Sequence, residues 1–505
     1  MLTRRRFLAN SALACVATGY GFAASPTVDV KTPLGVVRGE RMEGVRLFRG
    51  VPFAQPPVGE LRFRPPLEPM PWSGVRNALQ FAPAAVQPNG DAKEQSEDCL
   101  YLNVWTPDTP GPHPVFVWVH GGGFTGGRSS EAMFDGSTFA REGIVCVTVA
   151  YRLGVFGFMD WSPMLGETYA GSANNGLRDL IAALNWVQKN IASFGGDPKA
   201  VTLGGESAGA KLTDILMGVP AARPLFHQMI SESGGAERVW SKQDARKIGE
   251  GWRAAWMQAA MPSSTEAALT ADSSQIVKLQ KQFEHDWPAH FPLRPELDDT
   301  LMQRWPLEVI RAGATRGKRL LLGTNLDESS AFIGPHPAKD PGAGDLGNLP
   351  VDTFAKIAAK YQTVYPEMPV ELRRIRSTTA EEYWVPSIRV AEANIAGGGE
   401  SFVYRLDFPE EKGRLAGFAF HSYELRFVWE HFEHRPSEAA LALAKTIHEA
   451  WVSFIKGDVP AAPGLPQWPI FTPHGQKTMI LNSRSRVEDR PHAAELGLWN
   501  GKLMQ

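Results

Sequence analysis

Short apolar runs alternate with stretches of helical periodicity along most of this chain, and this alternation constrains the fold more than any other feature. Residues 176–192 and the stretch that begins at Ser437 repeat apolar residues every three or four positions, as helices packed on one side do. Strands that alternate with helices indicate an α/β fold, in which helices cover both faces of a mostly parallel central sheet. The runs with the length and continuity of buried strands are 115–119, 144–149, 200–203, 318–322 and 402–406.

Two long helical stretches, at about 240–320 and 351–397, interrupt the alternation. No Pro/Ser-rich linker separates two halves, so we expect helical insertions between strands of one sheet and a single domain over 25–505.

The 505 residues are 43% hydrophobic, which is ample for a large core. The formal net charge of −2 does not resemble a basic nucleic-acid footprint, so no nucleic-acid partner is expected.

Residues 1–24 have the composition of an export signal. Arg4, Arg5 and Arg6 precede an apolar stretch of small residues that ends in Ala23 and Ala24. The order Thr-Arg-Arg-x-Phe-Leu resembles a bacterial twin-arginine signal, and an ordinary secretory leader is the alternative. Polar residues interrupt the stretch, which argues against stable membrane insertion. We therefore expect an exported bacterial protein, periplasmic or secreted.

Glycines crowd around Ser207 at the end of a predicted strand. The letters GESAG at 205–209 follow the run 200–203 and precede a helix-like run. A sharp strand-to-helix turn there strains the serine backbone and leaves no room for side chains at the flanking positions. The alternative is a glycine-rich turn with a capping serine. The strand before and the helix after it favour a nucleophile elbow.

A second glycine cluster, at 121–123, also follows a predicted strand. Successive backbone N–H groups in such a loop can converge on one point and stabilise a developing oxyanion. A phosphate-binding loop is the alternative, but no G-K-[ST] or dinucleotide spacing follows. His120, beside the glycines, is expected to support the loop. No set of residues has metal-ligand spacing, so neither a metal nor a cofactor is predicted.

Several longer stretches resemble the type-B carboxylesterases, the family of the cholinesterases, the bacterial para-nitrobenzyl esterases and the non-enzymatic neuroligins. They are FRGVPFAQPPVGELRF at 48–63, EDCLYLNVW at 97–105, NIASFGGDP at 190–198, and the two glycine clusters. The resemblance implies the α/β-hydrolase fold and hydrolysis of small-molecule esters without a cofactor. It leaves monomer and homo-oligomer equally open.

The resemblance also implies roles for individual residues. Ser207 is the expected nucleophile, and His421 in HSYELRFV is the expected base. In GTNLDES at 323–329 the family pattern favours Glu328 as the acid, with Asp327 as the local competitor. The order Ser, Glu, His fits the α/β-hydrolase arrangement. The expected oxyanion-hole donors are the N–H groups of Gly122, Gly123 and Ala208.

Other matches are to supporting residues. Glu206 resembles a buried acid that orders the floor of the active site, although a solvated charge is the alternative. Arg62 and Glu97 resemble an ion pair that supports the loop before the oxyanion strand. Cys99 usually pairs with an upstream cysteine in this family. No cysteine lies between 25 and 98 here, so we expect a free thiol.

The substrate pocket is expected to include Phe124 and Glu206, with Trp287 and Phe291 narrowing its acyl side or serving in the core. Such aromatic surroundings favour neutral, apolar or aromatic esters. Amide or carbamate cleavage would use the same groups. A binding protein on the same fold, as in the neuroligins, is the competing class, but the retained serine, glutamate, histidine and glycine loop favour an enzyme.

Overall fold

A computed structural model describes residues 26–262, 264–288, 291–333 and 349–501. The predicted export signal at 1–24 lies outside these ranges, and the division into a signal and a single domain stays a prediction. The strands are β1 Thr27–Thr32, β2 Gly35–Met42, β3 Val45–Pro52, β4 Val75–Asn77, β5 Ala84–Ala85, β6 Gln95–Ser96, β7 Tyr101–Pro107, β8 His113–Val119, β9 Val145–Val149, β10 Gly196–Glu206, β11 Gln228–Glu232, β12 Arg319–Asn325, β13 Glu400–Leu406, β14 Thr478–Leu481 and β15 Arg486–Glu488.

Thirteen of these strands form one sheet, in the order β1-β2-β3-β7-β9-β8-β10-β11-β12-β13-β14-β15, with β4 paired to β2. The neighbours from β9 to β14 are parallel. Antiparallel pairs extend the sheet at both flanks. The mostly parallel central sheet, predicted from the apolar runs, is confirmed.

Both faces of the central strands are buried, which explains their continuous apolar composition. Val117 and Leu203 belong to the hydrophobic cluster on one face, and Phe116 and Trp118 belong to the cluster on the other. Each of these side chains has at most 1% of its surface exposed. The two clusters hold the sheet rigid, so the loops at its carboxyl edge have a fixed base.

Helices cover the sheet and also fill the two predicted insertions. Helices α6 to α9 lie between β11 and β12, and α10 to α13 lie between β12 and β13. The helices are α1 Ser137–Arg141, α2 Gly154–Phe158, α3 Ser162–Leu165, α4 Asn175–Asn190, α5 Ala208–Gly218, α6 Lys242–Gln258, α7 Thr265–Thr270, α8 Ser273–Asp286, α9 Pro306–Val309, α10 Ser330–Ile333, α11 Val351–Val364, α12 Val370–Thr379, α13 Val385–Ala396, α14 Leu425–Val428, α15 Glu438–Ile455 and α16 Ala493–Leu498. Within the described ranges, none of these helices combines the length and the apolar character that crossing a membrane requires.

Candidate active site

Ser207 occupies the turn between β10 and α5, at the carboxyl edge of the sheet. Its φ of 55° and ψ of −123° are strained for a residue with a side chain. Two backbone hydrogen bonds hold it there: its N–H donates to Glu232 O at 2.9 Å, and its carbonyl accepts from Lys211 N at 2.9 Å. The turn therefore has the geometry of a nucleophile elbow, with the serine at the start of a helix.

The glycines around Ser207 are required by close packing. A Cβ atom on Gly205 would lie 2.7 Å from the carbonyl carbon of Gly209. A Cβ atom on Gly209 would lie 2.1 Å from the carbonyl oxygen of Val119 in β8. Any side chain at these two positions would push α5 away from the strands that support the serine.

Three side chains from distant parts of the chain form a hydrogen-bonded row. Nε2 of His421 lies 2.8 Å from Oγ of Ser207, and Nδ1 lies 2.6 Å from Oε2 of Glu328. The backbone N–H of His421 also donates to Glu328 O at 3.2 Å. The structure thus brings together the three residues that the sequence singled out.

The carboxylate of Glu328 is fully buried and held in a fixed orientation. Its Oε1 accepts hydrogen bonds from Ser233 Oγ at 2.5 Å and from Asn325 N at 2.7 Å, which leaves Oε2 for the imidazole. Its neighbour Asp327 instead accepts from Ala419 N at 3.3 Å, and burial raises its pKa to about 6. Of the two acids in this loop, Glu328 is therefore the one that contacts the histidine.

The loop after β8 presents backbone donors beside the serine. Gly122 and Gly123 both have positive φ angles, 111° and 64°, so the chain turns sharply there. Among the described residues, none accepts a hydrogen bond from the N–H groups of Gly122, Gly123 or Ala208. A Cβ atom on the adjacent Gly121 would lie 3.0 Å from Cβ of Ser207, so this loop lies directly against the nucleophile. These three N–H groups are available to an oxyanion.

His120 supports this loop, as expected. Its Nδ1 lies 2.8 Å from Gly121 O, and its ring stacks on Tyr151 at a centroid distance of 4.6 Å. Burial lowers the pKa of His120 to about 4, so the ring is neutral near pH 7. It makes no contact that would let it act as the base for Ser207.

Glu206 is buried beside the imidazole. Its Oε1 lies 3.3 Å from Nε2 of His421 and accepts a hydrogen bond from Ser422 Oγ at 2.6 Å. Burial is the main cause that raises the pKa of Glu206, and the charge of His421 opposes it. Burial by itself lowers the pKa of His421, but Glu206 and Glu328 together raise it above its ordinary value of 6.5. Sequence reasoning found Glu206 but gave no role to Ser422, although Ser422 directly follows His421 in HSYELRFV.

Two rings that sequence reasoning also missed enclose His421. Tyr383 lies in a π-helical segment, Ala380–Trp384, and its ring centroid is 4.7 Å from that of His421. Phe332 of α10 approaches to 5.2 Å and is 64% exposed. π-Helical segments such as Ala380–Trp384 are frequent at functional sites, because they change the direction of side chains within a helix.

A cleft of about 470 Å³ is lined by Glu206, the residue before the nucleophile. It is bordered by the glycine loop, Glu206 and Ser422, by the apolar side chains of Phe134 and Leu425, and by polar or charged side chains that include Gln87, Asn89, Arg128 and Glu131. This volume is in the range of small-molecule sites. Across the described residues, no group of three or more histidine, cysteine, aspartate or glutamate side chains is arranged to hold a metal ion.

The predicted pocket aromatics have different surroundings. Phe124 has no exposed surface and packs against Phe158 at 5.1 Å, so its ring supports the loop and does not line the pocket as we expected. Trp287 packs against Phe283 of α8, and a Cβ atom on Gly251 of α6 would touch it. These contacts agree with the second of the two roles that we considered for Trp287, a place in the hydrophobic core.

Phe291 is 41% exposed and borders the oxyanion loop. A Cβ atom on Gly123 would lie 3.8 Å from its Cε1, so the ring stands at the edge of the site. Of the two residues expected to narrow the acyl side, Phe291 is the one in position to do so.

The supporting residues lie where the resemblance implied. Arg62 Nε donates to Glu97 Oε2 at 2.7 Å, and a second bond joins Arg62 Nη2 to the other carboxylate oxygen. Nη1 of the same arginine donates to Ala271 O at 2.8 Å, which ties the ion pair to the helical insertion. Cys99 is free and buried, as expected.

Comparisons with known proteins agree over nearly the whole chain. The model of the carboxylesterase family matches residues 24–499. The chain is 34% identical over 493 residues to a para-nitrobenzyl esterase of Bacillus subtilis (strain 168), covering 92% of this chain and 96% of that one. It is 32% identical to a fumonisin B1 esterase of Sphingopyxis macrogoltabida, over 88% of this chain and 85% of the other.

Solved structures give the same result. A PNB esterase superposes with a TM-score of 0.84 at 34% identity, covering 93% of this chain and 99% of the other. A carboxylesterase of Geobacillus stearothermophilus superposes with a TM-score of 0.82 at 33% identity, covering 94% of this chain and all of the other.

Proposed function

The chain belongs to the carboxylesterase family and is a carboxylic ester hydrolase, and from this premise we propose that it is a serine esterase working through an acyl-enzyme. The observation that carries the proposal is the unbroken row of hydrogen bonds from Ser207 through His421 to Glu328. A serine hydroxyl is a weak nucleophile until a neighbouring base removes its proton, and the row supplies that base.

In the first half of the reaction, Oγ of Ser207 attacks the ester carbonyl carbon while Nε2 of His421 takes the hydroxyl proton. The buried carboxylate of Glu328 stabilises the resulting imidazolium and holds the Nδ1–H tautomer. The carbonyl oxygen becomes an oxyanion beside the N–H groups of Gly122, Gly123 and Ala208, and a single such donor is worth about 3 kcal/mol. His421 then protonates the leaving alcohol.

In the second half, a water molecule replaces the alcohol. His421 takes a proton from this water, which attacks the acyl group on Ser207. The oxyanion forms again in the same place, and collapse of the intermediate releases the carboxylic acid and restores the serine hydroxyl. No cofactor enters either half.

The proposed substrates are esters of small molecules. We keep the expectation of neutral, apolar or aromatic esters, which the apolar side chains of Phe134 and Leu425 in the cleft beside Glu206 support. The leaving oxygen must lie within reach of Nε2 of His421, and this cleft adjoins that nitrogen through Glu206. Aryl esters such as 4-nitrophenyl acetate are therefore suitable assay substrates.

We also propose that the protein is exported by a bacterial cell, with residues 1–24 as its twin-arginine or general secretory signal. The supporting features are the arginines at 4–6 and the apolar, small-residue stretch after them. Fractionation of cells that express the full chain tests this proposal, and activity confined to the cytoplasm would contradict it.

Replacement of the nucleophile tests the proposed mechanism. Ser207→Ala is expected to lower kcat for 4-nitrophenyl acetate by about a million-fold, as loss of the nucleophile does in other serine hydrolases. Circular dichroism and the Tm should stay unchanged, because a serine-to-alanine change removes one oxygen atom. A folded variant that keeps more than a small fraction of the wild-type turnover would exclude Ser207 as the nucleophile.

A further inference from the structure

Helix α12 leads directly into the π-helical segment Ala380–Trp384, and one side of this continuous helix faces the catalytic residues. Arg376, Thr379 and Tyr383 lie on that side, since residues three or four positions apart share one face of a helix. We call these three residues the α12 face. Their side chains are buried, although each carries a polar group, and the reaction steps above use none of them.

The α12 face contacts the acid turn, residues 326–329, on both sides of Glu328. Nη1 of Arg376 donates to Leu326 O at 2.7 Å. One helical turn later, Thr379 Oγ1 accepts a hydrogen bond from Ser329 N at 3.1 Å. Among the described residues, that carbonyl has no other donor and that N–H has no other acceptor. The two ends of the acid turn therefore depend on α12 for their hydrogen bonds.

The same helix also contacts the base and the nucleophile elbow. The ring centroid of Tyr383 lies 4.7 Å from that of His421. Oε1 of the preceding residue, Glu382, lies 3.1 Å from Nζ of Lys211, whose backbone N–H bonds to the carbonyl of Ser207. One continuous helix thus contacts all three parts of the chain that supply the catalytic row.

Arg376 is itself held by the C-terminal helix α16. Its Nη2 donates to Oε2 of Glu495 at 3.3 Å. The buried carboxylate of Glu495 also accepts hydrogen bonds from the hydroxyl groups of Tyr361 at 2.9 Å and Tyr365 at 2.8 Å. A guanidinium group can bridge two acceptors in this way because its donors point outward from a rigid plane. The orientation of Arg376 toward Leu326 is therefore fixed from its far side.

The charge of Arg376 acts on the acid turn as well. Burial raises the pKa of Asp327 to about 6, and the charge of Arg376 is the largest of the effects that oppose this rise. The other charged groups near this carboxyl, Asp407 and Arg405, act in opposite directions. Arg376 therefore attracts the acid turn through its charge, in addition to its hydrogen bond.

We propose, on the basis of the serine-esterase function above, that Arg376 and Thr379 are positioning residues of the reaction. They hold the acid turn so that Oε2 of Glu328 stays within hydrogen-bond distance of the imidazole of His421. Among the described residues, neither side chain bonds to Ser207 or to the imidazole, so both act through Glu328. A displacement of about 1 Å in a catalytic arrangement can cost about 100-fold in rate.

Thr379→Val tests the proposal with little change of shape. The variant replaces a hydroxyl by a methyl group and leaves Ser329 N without its acceptor. We expect kcat/KM for 4-nitrophenyl acetate to fall at least about 5-fold, because the acid turn is no longer held in place. Circular dichroism and the Tm check that the variant folds. Thr379→Ser keeps the hydroxyl and should restore kcat/KM to nearly the wild-type value.

Thr378→Val is the matched control. Thr378 is the adjacent residue and is 5% exposed, against 4% for Thr379. Its hydroxyl bonds to Arg374 O in its own helix and does not reach the acid turn. Loss of such a bond within a helix has little effect, so kcat/KM should stay within about 2-fold of the wild-type value.

The pH profile of kcat/KM separates positioning from a purely structural role. Burial lowers the pKa of His421, Glu206 and Glu328 raise it, and the charge of Lys211 lowers it. If the acid turn carries Glu328 away from the imidazole, this pKa falls, and the midpoint of the profile moves to lower pH. The test variant should show this shift, whereas its matched control should not.

Arg376→Lys is a second variant, which decides the question if Thr379→Val does not fold. A lysine keeps the positive charge beside Glu495, but one ammonium group cannot replace the rigid fork that also reaches Leu326 O. We expect the same two changes, a kcat/KM at least about 5-fold lower and a midpoint at lower pH.

Arg373→Lys is the control for this second variant. Arg373 lies one turn earlier in α12, and its Nη1 donates to the carbonyls of Tyr365 and Met368, outside the acid turn. Its replacement should leave the midpoint of the pH profile unchanged.

The outcomes separate the two proposals. Folded Thr379→Val and Arg376→Lys proteins with the wild-type kcat/KM would overturn the positioning role and leave the serine mechanism standing. A fall in kcat/KM without a shift of the midpoint would also overturn it, because the carboxylate of Glu328 would not have moved relative to the imidazole. If Ser207→Ala hydrolyses 4-nitrophenyl acetate at the wild-type rate, the proposed function is wrong, and the positioning role with it.

Discussion

Ser422 donates a hydrogen bond of 2.6 Å to Oε1 of Glu206, and the same oxygen lies 3.3 Å from Nε2 of His421. The imidazole therefore has a carboxylate near each nitrogen, since Glu328 faces Nδ1. Burial alone would lower the pKa of His421, but these two carboxylates raise it. The base is consequently more easily protonated than an ordinary histidine, and Glu206 is one cause.

This arrangement predicts the pH dependence of the reaction. His421 must be neutral to accept the proton of Ser207. The value of kcat/KM is therefore at its maximum at high pH and falls as the pH drops through the pKa of His421. Because that pKa is raised, the midpoint should lie above 6.5. Glu206→Gln removes a negative charge near Nε2, so the midpoint should move to lower pH.

Asp327→Asn is the control for the pH measurement. Asp327 is an acid of the same loop as Glu328, but it bonds to Ala419 N and does not touch the imidazole. Its replacement should move the midpoint less than Glu206→Gln does. Equal shifts in both variants would contradict the effect of Glu206 on the pKa of His421. A profile of the wild-type enzyme that stays flat down to pH 5 would contradict the assignment of His421 as the base.

Ser233→Ala tests how the acid is positioned. Ser233 Oγ donates to Glu328 Oε1 at 2.5 Å, and this bond helps to keep the other oxygen on His421. Loss of a hydrogen bond to a charged group costs about 1.5–3 kcal/mol, so kcat/KM should fall by about 10-fold or more. Ser231→Ala is the matched control, because Ser231 lies two positions earlier, in β11, but bonds to Asp214. An equal loss of kcat/KM in the two variants would show that the bond to Glu328 has no special role.

Gly209→Ala tests the packing of the elbow. A Cβ atom there would lie 2.1 Å from Val119 O, and overpacking of this kind costs about 1–3 kcal/mol or more. We expect a clear fall in the free energy of unfolding, or no soluble protein. Gly497→Ala, in α16, has no neighbouring atom within 4 Å and should change stability by less than about 1 kcal/mol. Urea unfolding of both variants checks the comparison, and a Gly209→Ala protein as stable as wild type would contradict this account of the elbow.

The central sheet could be predicted from sequence because its strands are buried on both faces. A buried strand such as β9 has a continuous apolar composition, whereas β1, with the sequence TVDVKT, alternates polar and apolar residues and is partly exposed. The antiparallel strands before β7 were therefore not singled out. Ser437 was recognised as a helix start because it has a capping side chain, and its Oγ accepts from Ala440 N at 3.1 Å.

The row of Ser207, His421 and Glu328 could be located because its members stand in recognisable motifs. Their supporting contacts could not, because those contacts join residues far apart in the chain. Ser422 and Glu206 are 216 positions apart, and Lys211 and Glu382 meet only because a helical insertion folds over α5. Phe124 was misplaced for a similar reason: its positive φ of 66° and its packing on Phe158 bury a ring that we expected in the pocket.

Covalent labelling by a fluorophosphonate, followed by mass spectrometry of the peptides, tests the central claim most directly. We expect one adduct, on Ser207, because among the described residues this is the hydroxyl that lies both against an imidazole and beside free oxyanion donors. His421→Ala should label at least about 100-fold more slowly, the contribution of a general base. An adduct on a different serine of an active preparation, or equal labelling rates with and without the imidazole, would contradict the account.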